Sequence, residues 1–485
     1  MNGTELLIRG FWAFCFSAAM GYAVFSKTER ETTPGPADGK PRYTPFLPAV
    51  ILPGFLVTLS LLETVLNGAE RSFQAMLSVC FGIFLHISVY YLLLLLVMPL
   101  IRKQINARTC AALWLLPNYL YITQMSYMEV SAPRWILRFP GDGIRWAALA
   151  WLAGFLGVLG WKTVSHLLFR QRILSPARPV NDPAVLDLWL REQRQAGIKR
   201  PVLQLVISPA VRTPLSIGFF RRSIRVVLPE RDYSQEELTL IFRHEIVHIG
   251  REDAMTKFFL VFCTAMCWFN PLMWFAMRRS AEDLELSCDE TVLLDADDGT
   301  RRKYAQLLLR TAGDERGFTT CLSASAASLR YRLANVIRPR ERMVGSLAVG
   351  CIFFALIMSC GYVSLAYDQA DGQTYLFSGG EASAYTIESI RRNDGREAAV
   401  CTDPQALNDY LATLSLSRMT GNYSLSNEDV RLHILYCGPD GLVSMDFRDT
   451  AVMVTPLGGH ISTTVYCCSD GMDWAYLDTL LVPET

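Results

Sequence analysis

The chain has 485 residues and no net charge, with 46 Lys plus Arg against 46 Asp plus Glu. Only 19% of residues are charged and 51% are apolar, and the mean hydropathy is positive at +0.22. These values exclude a disordered chain and argue against an ordinary soluble domain.

Six apolar stretches are long enough to cross a bilayer, at about 5–26, 46–66, 75–101, 109–128, 146–169 and 343–366. The first is expected to be retained, because no small-residue cleavage site follows it, whereas Ser26-Lys27-Thr28-Glu29-Arg30 does. Lysine and arginine in short loops orient such spans. Lys27, Arg30, Lys40 and Arg42 follow the first span; Arg102, Lys103 and Arg108 follow the third. Arg170 and Arg172 follow the fifth, and Arg338, Arg340 and Arg342 precede the sixth. With six spans and an outside amino terminus, all four clusters face the cytoplasm. Arg134, Arg138 and Arg145 in the loop 129–145 then fall outside, so a different count through 109–128 is the alternative. His86 and His166, inside or beside spans, read as packed residues rather than ligands.

Between 170 and 342 the pattern changes. Residues 202–207 and 222–228 read as two strands, either an edge that takes a peptide by main-chain hydrogen bonds or a structural hairpin. Ser234 and Glu237 then form a capping box ahead of Leu238, Ile241 and Phe242, announcing a helix. It carries His244-Glu245-Ile246-Val247-His248. Residues four apart share a helical face, so both imidazoles can meet one ion, with Glu245 about 100° round the helix. A bound zinc lowers the pKa of its water to roughly 7, and an adjacent carboxylate can take the proton.

Catalytic zinc uses a third protein ligand. Glu285 and Asp289 are four apart on a following helix, suiting one to the metal and the other to orienting a ligand histidine. Glu282 shares their face and is the rival ligand. Cys288 lies about 60° round from Glu285, away from Asp289, and reads as a small core residue. The apolar segment 255–277 is broken by Asn270-Pro271 and is expected to be a buried or membrane-skimming helix rather than a seventh span. Residues 302–309 form an amphipathic helix, chiefly core; 311–328 are polar, small and glycine-bearing, hence a loop.

Three blocks carry a family resemblance: His244-Glu-Ile-Val-His248-Ile-Gly-Arg251-Glu-Asp253, Trp268-Phe-Asn-Pro-Leu-Met-Trp274, and Asp283-Leu-Glu285-Leu-Ser-Cys288-Asp289-Glu290. Together they resemble the BlaR/MecR-type antirepressor membrane metallopeptidases, over roughly 205–340. The resemblance implies His244, His248 and Glu285 as zinc ligands and Glu245 as general base. Arg251 and Asp253 also fall on family positions, either as an ordinary surface pair or with Asp253 hydrogen-bonding a ligand.

After the sixth span the composition shifts. From Asp368 onward there are 17 Asp plus Glu, six Arg and no lysine, a net charge of −11 that leaves +11 on the rest. Alternating runs at 432–436 and 443–447, with turns at 438–441 and Gly458-Gly459, predict strands, and 403–410 a short helix. Cys401, Cys437, Cys467 and Cys468 either pair or remain free thiols. The familiar relatives carry an external penicillin-binding sensor with a Ser-x-x-Lys nucleophile. No lysine follows Lys303 here, and the spans outnumber the four of those relatives, so this tail departs from that pattern.

The expected architecture is a polytopic α-helical membrane protein with a cytoplasmic, mainly α, gluzincin-like zinc metallopeptidase domain and a small α+β C-terminal domain. The expected divisions are a transmembrane region at 1–169, the zinc domain at 170–342, a span at 343–366 and an extracytoplasmic sensor-like domain at 367–485. The expected function is a multi-pass cell-membrane zinc endopeptidase that cuts a cytoplasmic protein, a transcriptional repressor, when the external domain meets an unidentified ligand. Lipid surrounds it, a second copy of the chain is a candidate partner, and no direct nucleic-acid contact is expected. The alternatives are a housekeeping membrane zinc protease resembling the CAAX and heat-shock peptidases, and a non-proteolytic sensor with a structural metal site.

Overall fold

The computed structural model describes residues 3–32, 42–45, 51–123, 135–139, 143–198, 203–219, 221–311, 320–321, 326–339, 342–360, 363–392, 397–419, 430–457 and 463–483. The Gly458-Gly459 turn and most of the 311–328 loop lie outside them.

The amino-terminal half is helical: α1 (Gly3–Thr32), α2 (Ile51–Asn67), α3 (Ala69–Ile101), α4 (Ala107–Leu115), α5 (Leu120–Thr123) and α6 (Gly143–Leu174). Among the described residues, α1, α3 and α6 hold segments long and apolar enough to cross a membrane; α2 and a later helix at Ser346–Ser359 are apolar but shorter. α6 is apolar on all sides and leaves Trp146, Leu149, Leu156, Val164 and Leu168 exposed, a surface that suits lipid. The stretch 109–128 is not one continuous helix. Pro117 cannot donate a backbone hydrogen bond, and α4 passes through a 3₁₀ turn at Leu116–Tyr119 into α5. Every residue of α4 is buried. Broken backbone of this kind is tolerated at membrane depth only inside protein.

A five-stranded sheet begins the central region. Its strands are β2 (Arg178–Pro179), β3 (Gln204–Ser208), β4 (Leu215–Ile217), β5 (Arg225–Pro229) and β6 (Thr320–Cys321), in the order β2-β3-β5-β4-β6; β1 (Trp135–Arg138) lies elsewhere. β3 and β5 pair in parallel, so the two expected strands are not a hairpin; the unforeseen β4 runs antiparallel to β5. The outer side of β4 is covered by β6 of the chain's own loop, with Leu215 opposite Cys321 and Ser216 opposite Thr320.

Six helices complete this region: α7 (Pro183–Gln195), α8 (Gln235–Arg251), α9 (Asp253–Met266), α10 (Pro271–Val292), α11 (Asp298–Thr311) and α12 (Ala326–Ile337). The capping box is present: Glu237 N–H donates to Ser234 Oγ at 3.2 Å and Ser234 N–H to Glu237 Oε2 at 2.9 Å. The expected amphipathic helix at 302–309 is the body of α11. The apolar segment 255–277 folds back as a hairpin of α9 and α10. Its tip sits among the long helices: the Trp268 indole donates to Trp151 O at 3.2 Å, and Asn270 Nδ2 to Ser88 Oγ at 2.8 Å. A Cβ on Gly154 would stand 2.1 Å from the Trp268 ring, so only glycine admits this contact. One apolar cluster joins residues of α1, α3, α4, α9 and the start of α10 with α13 (Ser346–Ser359).

The carboxy-terminal region is an α+β unit. Its strands are β7 (Val363–Asp371), β8 (Thr386–Arg392), β9 (Glu397–Cys401), β10 (Ser415–Met419), β11 (Leu432–Gly438), β12 (Gly441–Phe447), β13 (Ala451–Pro456), β14 (Thr464–Cys468) and β15 (Leu481–Pro483). With β1 they form a ten-stranded sheet in the order β1-β7-β10-β14-β13-β12-β11-β8-β9-β15. Short helices at Gly372–Leu376, Pro404–Thr413 and Trp474–Leu480 pack on it. None of the described cysteines forms a disulfide.

The two ends of the helical bundle carry different contacts. Arg9 of α1 donates to Ile357 O of α13 at 2.7 Å, and Leu77, Phe81 and Ile144 pack with Leu365 and Tyr367. At the other end Arg102 bonds Asp283 at 2.8 Å, Gly345 N–H reaches Thr109 Oγ1 at 3.3 Å, and Glu31 meets Arg108 and Arg251.

Candidate metal centre

α8 brings His244 and His248 to one face, with Nε2 atoms 3.1 Å apart. α10 runs beside it and sets Glu285 Oε2 3.7 Å from His244 Nε2 and 3.5 Å from His248 Nε2. Ligands on arms of about 2.1 Å at tetrahedral angles lie about 3.4 Å apart, so this triangle fits one small cation to within a few tenths of an ångström. Glu245 is fully buried, one residue beyond His244.

Both imidazoles are held by their far nitrogens. His248 Nδ1 is 2.6 Å from Asp253 Oδ2. That contact depends on Glu252, whose left-handed backbone (φ 57°, ψ 41°) ends α8 and turns Asp253 back. A non-glycine residue pays roughly 1–2 kcal/mol for such a conformation. His244 Nδ1 is 2.8 Å from the Tyr304 hydroxyl, which donates to Asp289 Oδ1 at 2.6 Å. Arg332 clasps Asp289 with two bonds of 2.7 Å. Asp289 itself is 3.6 Å from His244 Nδ1, so its hold on that ring runs through Tyr304.

Lys257, one turn into α9, donates to Glu285 Oε1 at 2.9 Å. Glu285 Oε2 is buried and makes no hydrogen bond among the described residues. Burial would raise the Glu285 carboxyl, but Lys257 above all, and then His248, hold it well below the usual carboxylate range. Burial likewise opposes a charged His244, yet the neighbouring Cys288 and Glu285 outweigh it and bring the imidazole up to about 9. An ionised carboxylate faces two imidazoles in a pocket that draws positive charge to its centre. That donor set suits a divalent cation of the zinc type.

His244, His248 and Cys288 also offer ligand atoms within 4.8 Å of one another. Cys288 Sγ lies 3.3 Å from His244 Nδ1, the nitrogen that Tyr304 already engages. Burial would push this thiol up, but His244 and His248 bring it below its usual value. The His244 edge nearest the sulfur is the Nδ1 that Tyr304 engages, whereas the two Nε2 atoms face Glu285 Oε2 at 3.7 and 3.5 Å. The orientation fixed by Tyr304 and Asp253 therefore favours Glu285 over Cys288. Cys288 is nonetheless a wall of the site and not remote core.

Glu282 turns away to Arg279, whose Nη1 is 2.8 Å from it. Arg251 is not half of a surface pair: it is buried and bonds Glu31, Ser287 and Thr291. Sequence reading missed Tyr304, Lys257 and Arg332. Tyr304 falls in the amphipathic run 302–309, whose pattern signals core, and no local motif announces the other two.

The fold and site are those of a chain with apolar helices of membrane-spanning length and a buried two-histidine, one-carboxylate group that suits a metal ion. Residues 139–336 match the family model described as BlaR1 peptidase M56. The chain is also similar to the regulatory protein BlaR1 of Bacillus licheniformis, 26% identical over 182 residues, or 38% of this chain. That match spans 30% of the relative's length. The matched region is thus a member of the BlaR1/MecR-type peptidase family.

Proposed function

We propose that this chain is a multi-pass membrane zinc endopeptidase that cuts a cytoplasmic protein, a transcriptional repressor, in response to a signal met by its carboxy-terminal domain. The observation that carries the catalytic half is the triangle of His244 Nε2, His248 Nε2 and Glu285 Oε2 beside buried Glu245. Zinc held there supplies Lewis acidity toward a peptide carbonyl and an acidified water. Glu245 takes the proton of the attacking water and returns it to the leaving amine. Asp253 and the Tyr304–Asp289–Arg332 chain fix the two imidazoles, so their orientation costs nothing at the moment of reaction.

β4 packs against α8, and β6 lies on it antiparallel. An extended substrate could pair with the same edge. The segment already there belongs to the 311–328 loop, which supports self-cleavage within it. The wild-type chain is expected to yield a fragment beginning between 311 and 328, and the Glu245→Gln chain none. The same fragment in both would assign the cut to a contaminating protease.

The reading counts six crossings, with the broken path through α4 and α5 as the fourth. Among the described residues α1, α3 and α6 are long and apolar enough to cross, and α2 and α13 are apolar but shorter. The pairing of β1, just before α6, with β7 of the carboxy-terminal sheet supports putting the two on one side. The basic clusters at the opposite end argue that the zinc domain is cytoplasmic. Protease added to intact cells is then expected to remove residues beyond 367 and spare 170–342; the reverse pattern would point to envelope substrates. A purely structural metal site is the weaker reading, because such a site has no use for Glu245.

A further inference from the structure

Glu31 lies in the last turn of α1, yet its carboxylate is bound by side chains of α8 and α4. Arg251 of α8 donates from Nε to Glu31 Oε1 at 3.1 Å and from Nη2 to Oε2 at 2.6 Å, and Arg108 of α4 pairs with the same carboxylate. All three side chains are buried. The Arg251 guanidinium also donates to α10, from Nη1 to Ser287 Oγ at 3.0 Å and from Nη2 to Thr291 Oγ1 at 2.6 Å. A guanidinium is a rigid planar fork, so these four bonds fix α1, α8 and α10 against one another at a single point.

That point is within a turn of the metal centre on both ligand-bearing helices. Arg251 follows His248 by three residues, and Ser287 follows Glu285 by two. Two residues beyond Arg251, across the left-handed Glu252, Asp253 holds His248 Nδ1 at 2.6 Å. A shift of Arg251 therefore moves both the support of His248 and the gap between α8 and α10. A buried ion pair adds little stability over apolar side chains of the same volume, and its best-attested use is to fix register. α1 is in turn held along α13. A Cβ on Gly21 would stand 3.0 Å from Ser346 O, and one on Gly350 3.3 Å from Ser17 O, so the two backbones meet closely where they cross. α13 ends at Ser359, and β7 of the carboxy-terminal sheet starts at Val363.

We propose that Glu31 is a positioning residue for the metal centre, acting through Arg251, so that the apolar helix α1 sets the geometry of the ligands His248 and Glu285. The role rests on reading His244, His248 and Glu285 as the metal ligands. Glu31 touches neither the ion nor the substrate; it holds the guanidinium that spaces α8 from α10. A displacement of α1 by α13 would reach the ligands by the same route.

The test uses the full-length protein loaded with cobalt(II), whose visible absorption band reports ligand number and geometry at a zinc-type site. Glu31→Gln keeps the shape of the side chain and removes its charge. It is expected to shift the cobalt band and to weaken zinc about ten-fold in a chelator competition, the low end for a group that orients a ligand. Cleavage should lose about ten-fold in kcat at unchanged KM. Gln leaves two buried guanidiniums short of a counter-charge, so a second variant guards against misfolding: Glu31→Met with Arg108→Met and Arg251→Met. Apolar replacement of a buried ion cluster tends to preserve stability. The triple variant should therefore keep the wild-type unfolding midpoint and still show the shifted band and the weakened zinc. A folded variant with the wild-type band and affinity overturns the proposal and leaves the pair as a structural tie. A wild type with no cobalt band at all would instead defeat the ligand reading itself, and the proposal with it.

Discussion

The interior between 170 and 342 holds His244, Glu245, His248, Arg251, Asp253, Asp283, Glu285, Asp289 and Arg332, whereas the carboxy-terminal domain buries no charged side chain among its described residues. Its core is Leu407, Leu416, Ile434, Tyr436, Met445, Phe447 and Val452 packed under a sheet. The one histidine–carboxylate pair described there, His433 with Asp446, is part-exposed. Each ion removed from water costs several kcal/mol unless its partners and geometry repay it. A region that keeps so many has been shaped for something other than stability. The acidic domain keeps its charge outside, where charge favours solubility.

If that contrast is right, substitutions in the two regions should act on different observables. The largest effect is expected from Glu245→Gln, which should lower cleavage by roughly 100- to 10,000-fold, the range for loss of a general base, while metal stays bound. A purified variant that cleaves as fast as wild type would remove Glu245 from the mechanism. Phe447→Ala in the sheet core should cost the carboxy-terminal domain about 3–5 kcal/mol, seen as a lower unfolding midpoint, and leave metal content as it was. Loss of metal in that variant would mean that the two regions fold as one unit. Tyr304→Phe is the subtler change. It removes one hydroxyl between His244 and Asp289 and should weaken metal binding about 10- to 100-fold in a chelator competition. An unchanged affinity would demote Tyr304 to packing.

Local pattern made part of this legible. The HExxH spacing, the capping box and the Glu285/Asp289 offset are short-range, so α8 and the inner face of α10 could be read directly. Tyr304 and Arg332 sit 60 and 88 residues beyond His244, and only the packing of α11 on α8 and α12, and of α12 on α10, brings them in. Lys257 lies in the apolar run 255–277, where no local pattern marks it as a neighbour of Glu285. The break in 109–128 did leave a trace, the Pro117-Asn118 pair. Its burial depends on α10 lying alongside, which hydropathy does not report. β1 and β6 are two to four residues long, too short to carry a period; their partners alone make them strands.

The central claim is that Glu285 completes the metal centre with His244 and His248, while Cys288 and Glu282 do not. It is tested most directly by metal content per chain, measured by mass spectrometry on the purified full-length protein and single variants. Wild type, Glu282→Ala and Cys288→Ser are expected to hold nearly equal zinc, and Glu285→Ala far less. Zinc retained by Glu285→Ala but lost from Cys288→Ser would contradict this and assign the third ligand to Cys288.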